Sequence, residues 1–403
     1  MIELIAVIQI LLLSVFGLFA GYLVLLSILA LMEKKSKEKP TSVDEQHRFA
    51  IVVPAYNEES GIARTVRDLI DIEYPKDLFD VIVIADNCTD QTARIARYEG
   101  AIAWRRFQPD KRGKGYALRW CFDRLLSDEQ YAEYDSIVVV DADTRVNKNL
   151  LQVFNKYRAM GADVIQGYFS IAPKPDSWTS ETTRIGFTLY NYVRPMGRKR
   201  LGCTAGLRGN GMCFSAAILK AVSWDAFSNT EDLEYAMSLL QHDVKVVFAP
   251  DVIGYNQIPE TADKAESQRE RWEIGRFPVL KRFAGKLLKS GLRKRSFHHF
   301  DAFLDLVTPP LVTMLLFVLL MGGLSVVSWW AGVTDTLLFA GLWLVLFGMG
   351  IAHAVIGLIA AGADKAMYKS LLYVPRYAFW KLYLYVKVFL RGRSSEWVRT
   401  TRE

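Results

Sequence analysis

This 403-residue chain lacks the patterns that hold structural metals or disulfides. Its four cysteines, Cys88, Cys121, Cys203 and Cys213, form no CxxC pair and no Cys/His cluster with zinc spacing. They read as reduced packing residues of a cytosolic domain. No internal repeat or low-complexity tract occurs, so a repeat architecture is set aside. The glycine-rich segment Gly113-Lys-Gly115 lacks the Walker spacing, which excludes a P-loop. The apolar start has no basic n-region and no A-x-A site before a polar chain, which speaks against a signal peptide.

What is present divides sharply along the chain. Hydrophobic residues make up 51% and charged residues 23%, and the mean hydropathy is +0.12. Membrane segments and a large water-soluble domain are therefore expected side by side. The net charge of +7 comes from basic residues that cluster beside apolar runs. That placement fits anionic lipid headgroups and argues against nucleic acid as a partner.

Residues 1–32 form an apolar run longer than the roughly 20 residues that cross a bilayer. Lys34, Lys35, Lys37 and Lys39 follow in a basic linker, 33–48, which predicts a cytoplasmic flank and an external N-terminus. Residues 49–280 read as the catalytic domain. Residues 281–300 are basic, with Phe283, Leu287, Leu288 and Leu292 on one side, and read as an interfacial helix; an ordinary solvated basic helix is the alternative. Two further spans are expected within 301–361, over about Phe303–Trp330 and Leu337–Ala361. Their link, 331–336, has no Lys or Arg and should face outward. The tail, 362–403, mixes aromatic and basic residues like a cytoplasmic membrane-surface helix. The expected location is the inner (plasma) membrane, multi-pass, with the catalytic domain in the cytoplasm.

The soluble part alternates strand and helix, predicting an α/β domain with a largely parallel sheet. Strands are expected at Phe49–Val53, Val81–Ala85 and Ile137–Val140, and helices at about Gly61–Asp71 and Thr89–Glu99. Acidic residues follow the strands: Asp86 the second, Asp141 and Asp143 the third. Ligands of open α/β sheets bind at the carboxyl ends of strands, so these acids could converge there. Asp141-Ala-Asp143 could present two carboxylates to a hard cation, Mg2+ or Mn2+, that neutralises a diphosphate; a solvated turn is the alternative. Tyr56 offers a flat ring to a base. Gly113-Lys-Gly115 precedes a helix and suits phosphate, through backbone N–H groups and Lys114. Thr230-Glu-Asp232 opens a helix. Asp232 there could be a general base, or Ser228 and Glu231 could form a capping box. Gln268-Arg-Glu-Arg-Trp272 combines an amide, a guanidinium and an indole, suited to phosphate and sugar. An amphipathic surface helix explains it equally.

Taken in order, Val53–Glu58, Asp86-Asn-Cys-Thr-Asp90, Gly113-Lys-Gly115, Asp141-Ala-Asp143, Thr230-Glu-Asp232 and Gln268-x-x-Arg271-Trp272 resemble the inverting family-2 glycosyltransferases. The likeness is closest to the membrane-integrated branch of cellulose, chitin and hyaluronan synthases, and covers Phe49–Trp272. It implies a GT-A nucleotide-sandwich fold. It implies that Tyr56, Glu58 and Asp86 hold the nucleoside of a nucleotide sugar, a UDP-sugar. Lys114 would approach the donor, Asp141 would sit on its nucleotide side, and Asp143 would hold Mg2+ or Mn2+. Asp232 would be the base, Gln268, Arg271 and Trp272 would frame diphosphate and acceptor, and Asn210 of Arg208–Met212 would line the acceptor site.

The expected activity is transfer of a sugar to a glycan or lipid-linked acceptor. Three spans are fewer than polymer-exporting synthases carry, which disfavours a pore within one chain. The Gln-x-x-Arg-Trp motif pulls toward a processive synthase, for which an export partner or oligomer would supply the pore. A non-catalytic nucleotide-binding scaffold is the reading from another class. His353, in the last span, is expected to make a helix-packing hydrogen bond.

Overall fold

The computed structural model describes residues 2–34, 45–174, 177–256, 262–334 and 336–391; Ile2, Lys34, Leu384 and residues 262–274 and 386–391 are described by backbone alone. The side chains of the basic run from Lys34 to Lys39, and those of Gln268, Arg271 and Trp272, lie outside the described residues.

Eight strands build one mixed sheet: β1 (Phe49–Ala55), β2 (Phe79–Asp86), β3 (Ile102–Arg106), β4 (Ser136–Val139), β5 (Thr144–Val146), β6 (Val164–Ile171), β7 (Met212–Ser215) and β8 (Val247–Asn256), in the order β3-β2-β1-β4-β7-β6-β8-β5. The half from β3 to β4 is parallel. Apolar runs such as Val81–Ala85 are buried on both faces, as parallel strands require. The expectation of a largely parallel sheet stops at β7, which runs antiparallel to both β4 and β6. β8 returns parallel to β6, and β5 closes the edge antiparallel to β8.

The irregular stretch after β6 folds as a nearly continuous helix. Trp178–Thr188 passes through a π turn at Leu189–Val193 into Arg194–Arg200. Pro195 falls just after the π turn, where the helical hydrogen-bond ladder changes register and a proline cannot donate to the carbonyl four residues back. This rod joins the catalytic core to the membrane part. Gly197 lies under the Leu26 backbone of the first span, where a Cβ would sit 2.4 Å from the Leu26 carbonyl oxygen.

Three helices are long and apolar enough to cross a membrane: Glu3–Glu33, Leu311–Trp330 and Leu338–Ala361. Trp329 and Trp330 are exposed at the end of the second, as belt residues are. The spans are tied by buried polar pairs. Gln9 donates to Ser325 (3.1 Å) and accepts from Trp343 (2.6 Å). His353 Nδ1 lies 2.7 Å from Ser27 Oγ, which is the helix-packing role expected of it.

Two expectations near the membrane are corrected. The second span does not begin at Phe303: a separate helix, Phe297–Val307, ends before Pro309 and Pro310, and the span starts at Leu311. Proline removes the N–H and blocks a continuous helix. The basic segment 281–300 is not an independent interfacial helix. Its first part is the end of a 33-residue helix, Ala262–Lys294. Val279, Phe283 and Leu287, spaced four apart, are buried in the catalytic core, so this apolar face is covered by protein, while Leu292 is 71% exposed. The tail helix Val374–Arg391 does leave large apolar side chains outward, Phe379 at 74% and Tyr383 at 60% exposure.

Candidate active site

The carboxyl ends of β1, β2 and β4 open into one cleft of about 720 Å³, lined by Tyr56, Glu58, Asp86, Lys114, Asp141, Asp143, Asn210 and Asp232 among others. Every site residue expected from sequence whose side chain is described therefore faces one space.

The acidic turn is held from two sides. After β4, the Asp141 N–H donates to Asn210 Oδ1 (3.1 Å), and Asn210 Nδ2 donates to Thr144 Oγ1 (2.6 Å) and Asn256 Oδ1 (2.7 Å). Thr65 Oγ1 donates to the Ala142 carbonyl (2.7 Å). Asn210 was expected to meet the acceptor. Its amide is instead spent on the acidic turn, which makes it a positioning residue in this structure.

Lys114 is the hub. It opens the helix Lys114–Ser127, capped by Gly113. Gly115 packs against Ala226 so closely that a Cβ would lie 2.2 Å from the Ala226 carbonyl oxygen. Lys114 Nζ donates to Asp141 Oδ1 (2.5 Å) and to the Gly209 carbonyl, and lies 3.9 Å from Glu231 Oε1. Burial works against its charge, but Asp141 and Glu231 outweigh that and leave its pKa raised.

The helix Glu231–Gln241 aims its first two residues into the cleft. The capping box of Ser228 and Glu231 does not form: Thr230 is the cap residue, and Ser228 Oγ is buried without a partner among the described residues. Glu234 takes that task, accepting from the N–H groups of Phe227 (3.1 Å) and Ser228 (3.0 Å) and pairing with Arg282. Glu231 is thereby released from the box, while Asp232 still accepts from the first-turn N–H of Leu233. Burial pushes Glu231 up to about 7 against the pull of Lys114, with Asp232 adding to the rise. Burial also raises Asp232, against the Leu233 N–H, Lys114 and Arg208. Gly209, at φ +80°, brings its backbone against Asp232; a Cβ there would stand 3.3 Å from Oδ2.

On the other flank, Asp86 ends β2 and forms a buried ion pair with Arg106 of β3. Burial raises the Asp86 pKa while Arg106 opposes the rise. Asn57 and Asn87 follow β1 and β2 in left-handed conformations, φ 52° and 51°. Asparagine tolerates that region, and each side chain bonds locally: Asn57 Oδ1 accepts from Thr89 N (2.8 Å), Asn87 Oδ1 from Gln108 N (2.8 Å). Sequence reasoning missed Arg106 and Asn87. The signal was faint: Asn87 directly follows the strand-end Asp86, and Asn57 comes two residues after the end of β1.

The cleft also continues past Arg208 toward the spans, with Tyr190, Arg194 and Arg276 on its walls. Arg276, four residues beyond Trp272, was not read from sequence.

A family model described as "Glycosyltransferase like family 2" matches residues 47–275. The chain belongs to this family. Among curated relatives, it is 27% identical over 255 residues to the beta-monoglucosyldiacylglycerol synthase of Nostoc sp., covering 61% of this chain and 52% of that one. It is 26% identical over 262 residues to the poly-beta-1,6-N-acetyl-D-glucosamine synthase of Staphylococcus epidermidis, covering 61% and 60%. The chain thus matches little more than half the length of these relatives. Among solved structures, it resembles mannosyltransferase PcManGT from Pyrobaculum calidifontis in complex with GDP-Man and Mn2+. That likeness has a TM-score of 0.55 at 18% identity and covers 89% of this chain and 99% of that one. The fold is accordingly GT-A-like, carried with three candidate spans.

Proposed function

We propose that this family-2 enzyme transfers a sugar from a nucleotide-sugar donor, a UDP-sugar, to a membrane-embedded acceptor, with inversion. The observation that carries the reading is the meeting of the acidic turn, Lys114 and the Glu231–Asp232 helix start in one cleft that runs on to the spans. The matched relatives, a lipid glucosyltransferase and a polymer synthase by name, fit both a lipid-linked and a glycan acceptor.

Tyr56, Glu58 and Asp86 would hold the nucleoside. Asp232 would take the proton of the acceptor hydroxyl as its oxygen attacks the anomeric carbon. The bond from that carbon to the diphosphate breaks, and the nucleoside diphosphate leaves with the electron pair. One displacement inverts the centre, so an α-linked donor gives a β-linkage. Lys114 would hold Asp141 and Glu231 in place. Gln268, Arg271 and Trp272 would complete the diphosphate and acceptor frame.

A divalent cation fits the donor set. No group of three or more His, Cys, Asp or Glu cages a metal among the described residues. Mg2+ and Mn2+ need no such cage, because one or two carboxylates, water and phosphate oxygens suffice. Asp143 would hold the ion with Asp141 beside it. When bound, the ion would neutralise charge on the leaving diphosphate.

The three spans and the basic flanks support an inner-membrane enzyme with its catalytic domain in the cytoplasm. A panel of UDP- and GDP-sugars, incubated with purified protein and native lipid extract, tests the function by nucleoside diphosphate release. Release that needs Asp232 and a divalent cation is expected. No release with any donor would leave the scaffold reading standing.

A further inference from the structure

Among the described residues, the membrane end of the cleft holds more buried positive charge than its partners balance. Arg194 is 5% exposed, and the Arg208 side chain is 3% exposed. Arg198 takes most of the acid available: it donates to Asp301 Oδ2 (2.8 Å) and Asp305 Oδ2 (2.9 Å), while Tyr22 donates to Asp301 Oδ1 (2.8 Å). Arg194 and Arg208 reach only the rim of Asp305, at 3.4 and 3.8 Å. Arg276 donates to the Leu306 and Thr308 carbonyls and acts on Asp305 only through space. Four guanidiniums act on Asp305, and one of them, Arg208, also faces Asp232. Arg194 Nε and Nη2 and Arg208 Nε are buried with no hydrogen-bond partner among the described residues. Donors of this kind are costly to leave unmet, and a guanidinium is shaped to pair two oxygens of an anion.

Beyond these arginines the walls turn apolar. Leu311 and Leu315 of the second span, Ile351 and Val355 of the third and Val374 of the tail helix line the same space. Ile351 and Val355 are 43% and 37% exposed, so the apolar arm is open to its surroundings at the level of the spans. The cleft therefore has a fixed order: acidic turn, Asp232, Arg208 with Arg194, then the open apolar arm.

Resting on the transferase reading above, we infer that the acceptor is an anionic lipid. Its phosphate lies between the apolar chain and the hydroxyl that receives the sugar. The chain would occupy the arm between the spans, the phosphate would pair with Arg194 and Arg208, and the hydroxyl beyond it would reach Asp232. A neutral diacylglycerol leaves the guanidiniums unmet, and a free glycan leaves the apolar arm empty. Lys381, also on the wall of this space, adds a further cation on the tail helix.

The test measures binding apart from turnover, on the full chain in nanodiscs of neutral lipid carrying Asp232→Asn. Three probes are compared: phosphatidylglycerol, which bears hydroxyls beyond its phosphate, diacylglycerol with the same chains, and inorganic pyrophosphate. Phosphatidylglycerol is expected to bind at least about tenfold tighter than diacylglycerol, and Arg194→Gln to remove about tenfold of that affinity, with Arg194→Lys restoring part. UDP affinity should not change in Arg194→Gln. Leu315→Trp, which fills the apolar arm and leaves the arginines in place, should also weaken phosphatidylglycerol and spare pyrophosphate. Equal binding of the two lipids would overturn the inference. So would an Arg194→Gln effect on pyrophosphate and UDP alone, which would make the cluster a donor-side anion site. If Arg194→Gln does not fold, Leu315→Trp decides: unchanged phosphatidylglycerol binding overturns the inference. If the variant binds the anionic lipid but the parent protein, with Asp232 intact, releases no nucleoside diphosphate with any donor, the transferase reading fails and the lipid site stands.

Discussion

Lys114 and Asp141 meet at 2.5 Å across the mouth of the cleft, and this contact couples the start of a phosphate-facing helix to the acidic turn. The same ammonium stands 3.9 Å from Glu231, so three motifs far apart in sequence share one positive charge. Removing that charge should show in the pH profile. Lys114 lowers the Glu231 pKa, which stands at about 7 with the lysine present. The Glu231–Asp232 pair should be ionised for transfer, so activity should fall as pH drops through about 7. In Lys114→Met the fall should move to higher pH, because a carboxylate without its cation holds its proton longer. An acid limb that stays in place in the variant would refute the coupling.

Asp143→Ala should abolish transfer and weaken UDP binding that depends on Mn2+, while metal-independent UDP binding persists. The diphosphate is a poor leaving group when its charge is unscreened. Titration calorimetry of UDP with and without chelator reads the effect. Full turnover of the variant in chelator-treated buffer would remove the metal from Asp143.

Arg106→Met should unbalance Asp86. A buried ion pair that loses one partner costs on the order of 3–5 kcal/mol, because the other charge is stranded. Asp86 already has a pKa raised by burial, and Arg106 is the main force against it. The variant should therefore melt earlier and bind UDP more weakly, with the loss in binding relieved as pH rises and Asp86 ionises. Calorimetric melting and UDP titration at two pH values check this.

On the proposed topology, the catalytic domain and the tail lie on one side of the membrane and the 331–336 link on the other. An impermeant thiol reagent added outside intact cells should label Ala331→Cys, at the exposed link, and not Tyr98→Cys, which is 89% exposed on the catalytic domain. The reverse labelling would invert the topology.

The parts of this structure that sequence could show are those where a local pattern suffices. β1, β2 and β4 are apolar runs buried on both faces, and the acids Asp86 and Asp141 at the carboxyl ends of β2 and β4 mark the crevice. β3 escaped because an edge strand of five residues, with Arg105 and Arg106 in it, carries no apolar run. β7 has four residues, too few for a period. The membrane junction escaped for a different reason. Asp301 and Asp305 sit in a stretch that hydropathy reads as leading into a span, and what they pair with is Arg198, about a hundred residues earlier. Burial alone would raise Asp305, yet Arg198, Arg194 and Arg208 hold it well below the usual carboxylate range. No local window contains that pairing.

The last prediction concerns the base. Asp232 and Glu231 both open a helix, and a helix start alone would explain two acids through the dipole. Glu234 makes the reach-back bonds to Phe227 and Ser228, but Asp232 accepts from the first-turn N–H of Leu233, so a substitution must keep that acceptor to isolate the charge. A lost cap would cost about 1 kcal/mol of stability and barely touch chemistry. A lost general base costs on the order of 10² to 10⁴ in rate with the fold intact. Asparagine matches aspartate in shape, so Asp232→Asn removes the charge and little else. This variant should bind UDP like the parent, melt near the parent temperature and lose nearly all transfer. Glu231→Gln should lose less, since Glu231 is the acid that shares Lys114. Parental turnover in Asp232→Asn would strip the residue of its catalytic role and leave Thr230–Asp232 as a helix start only.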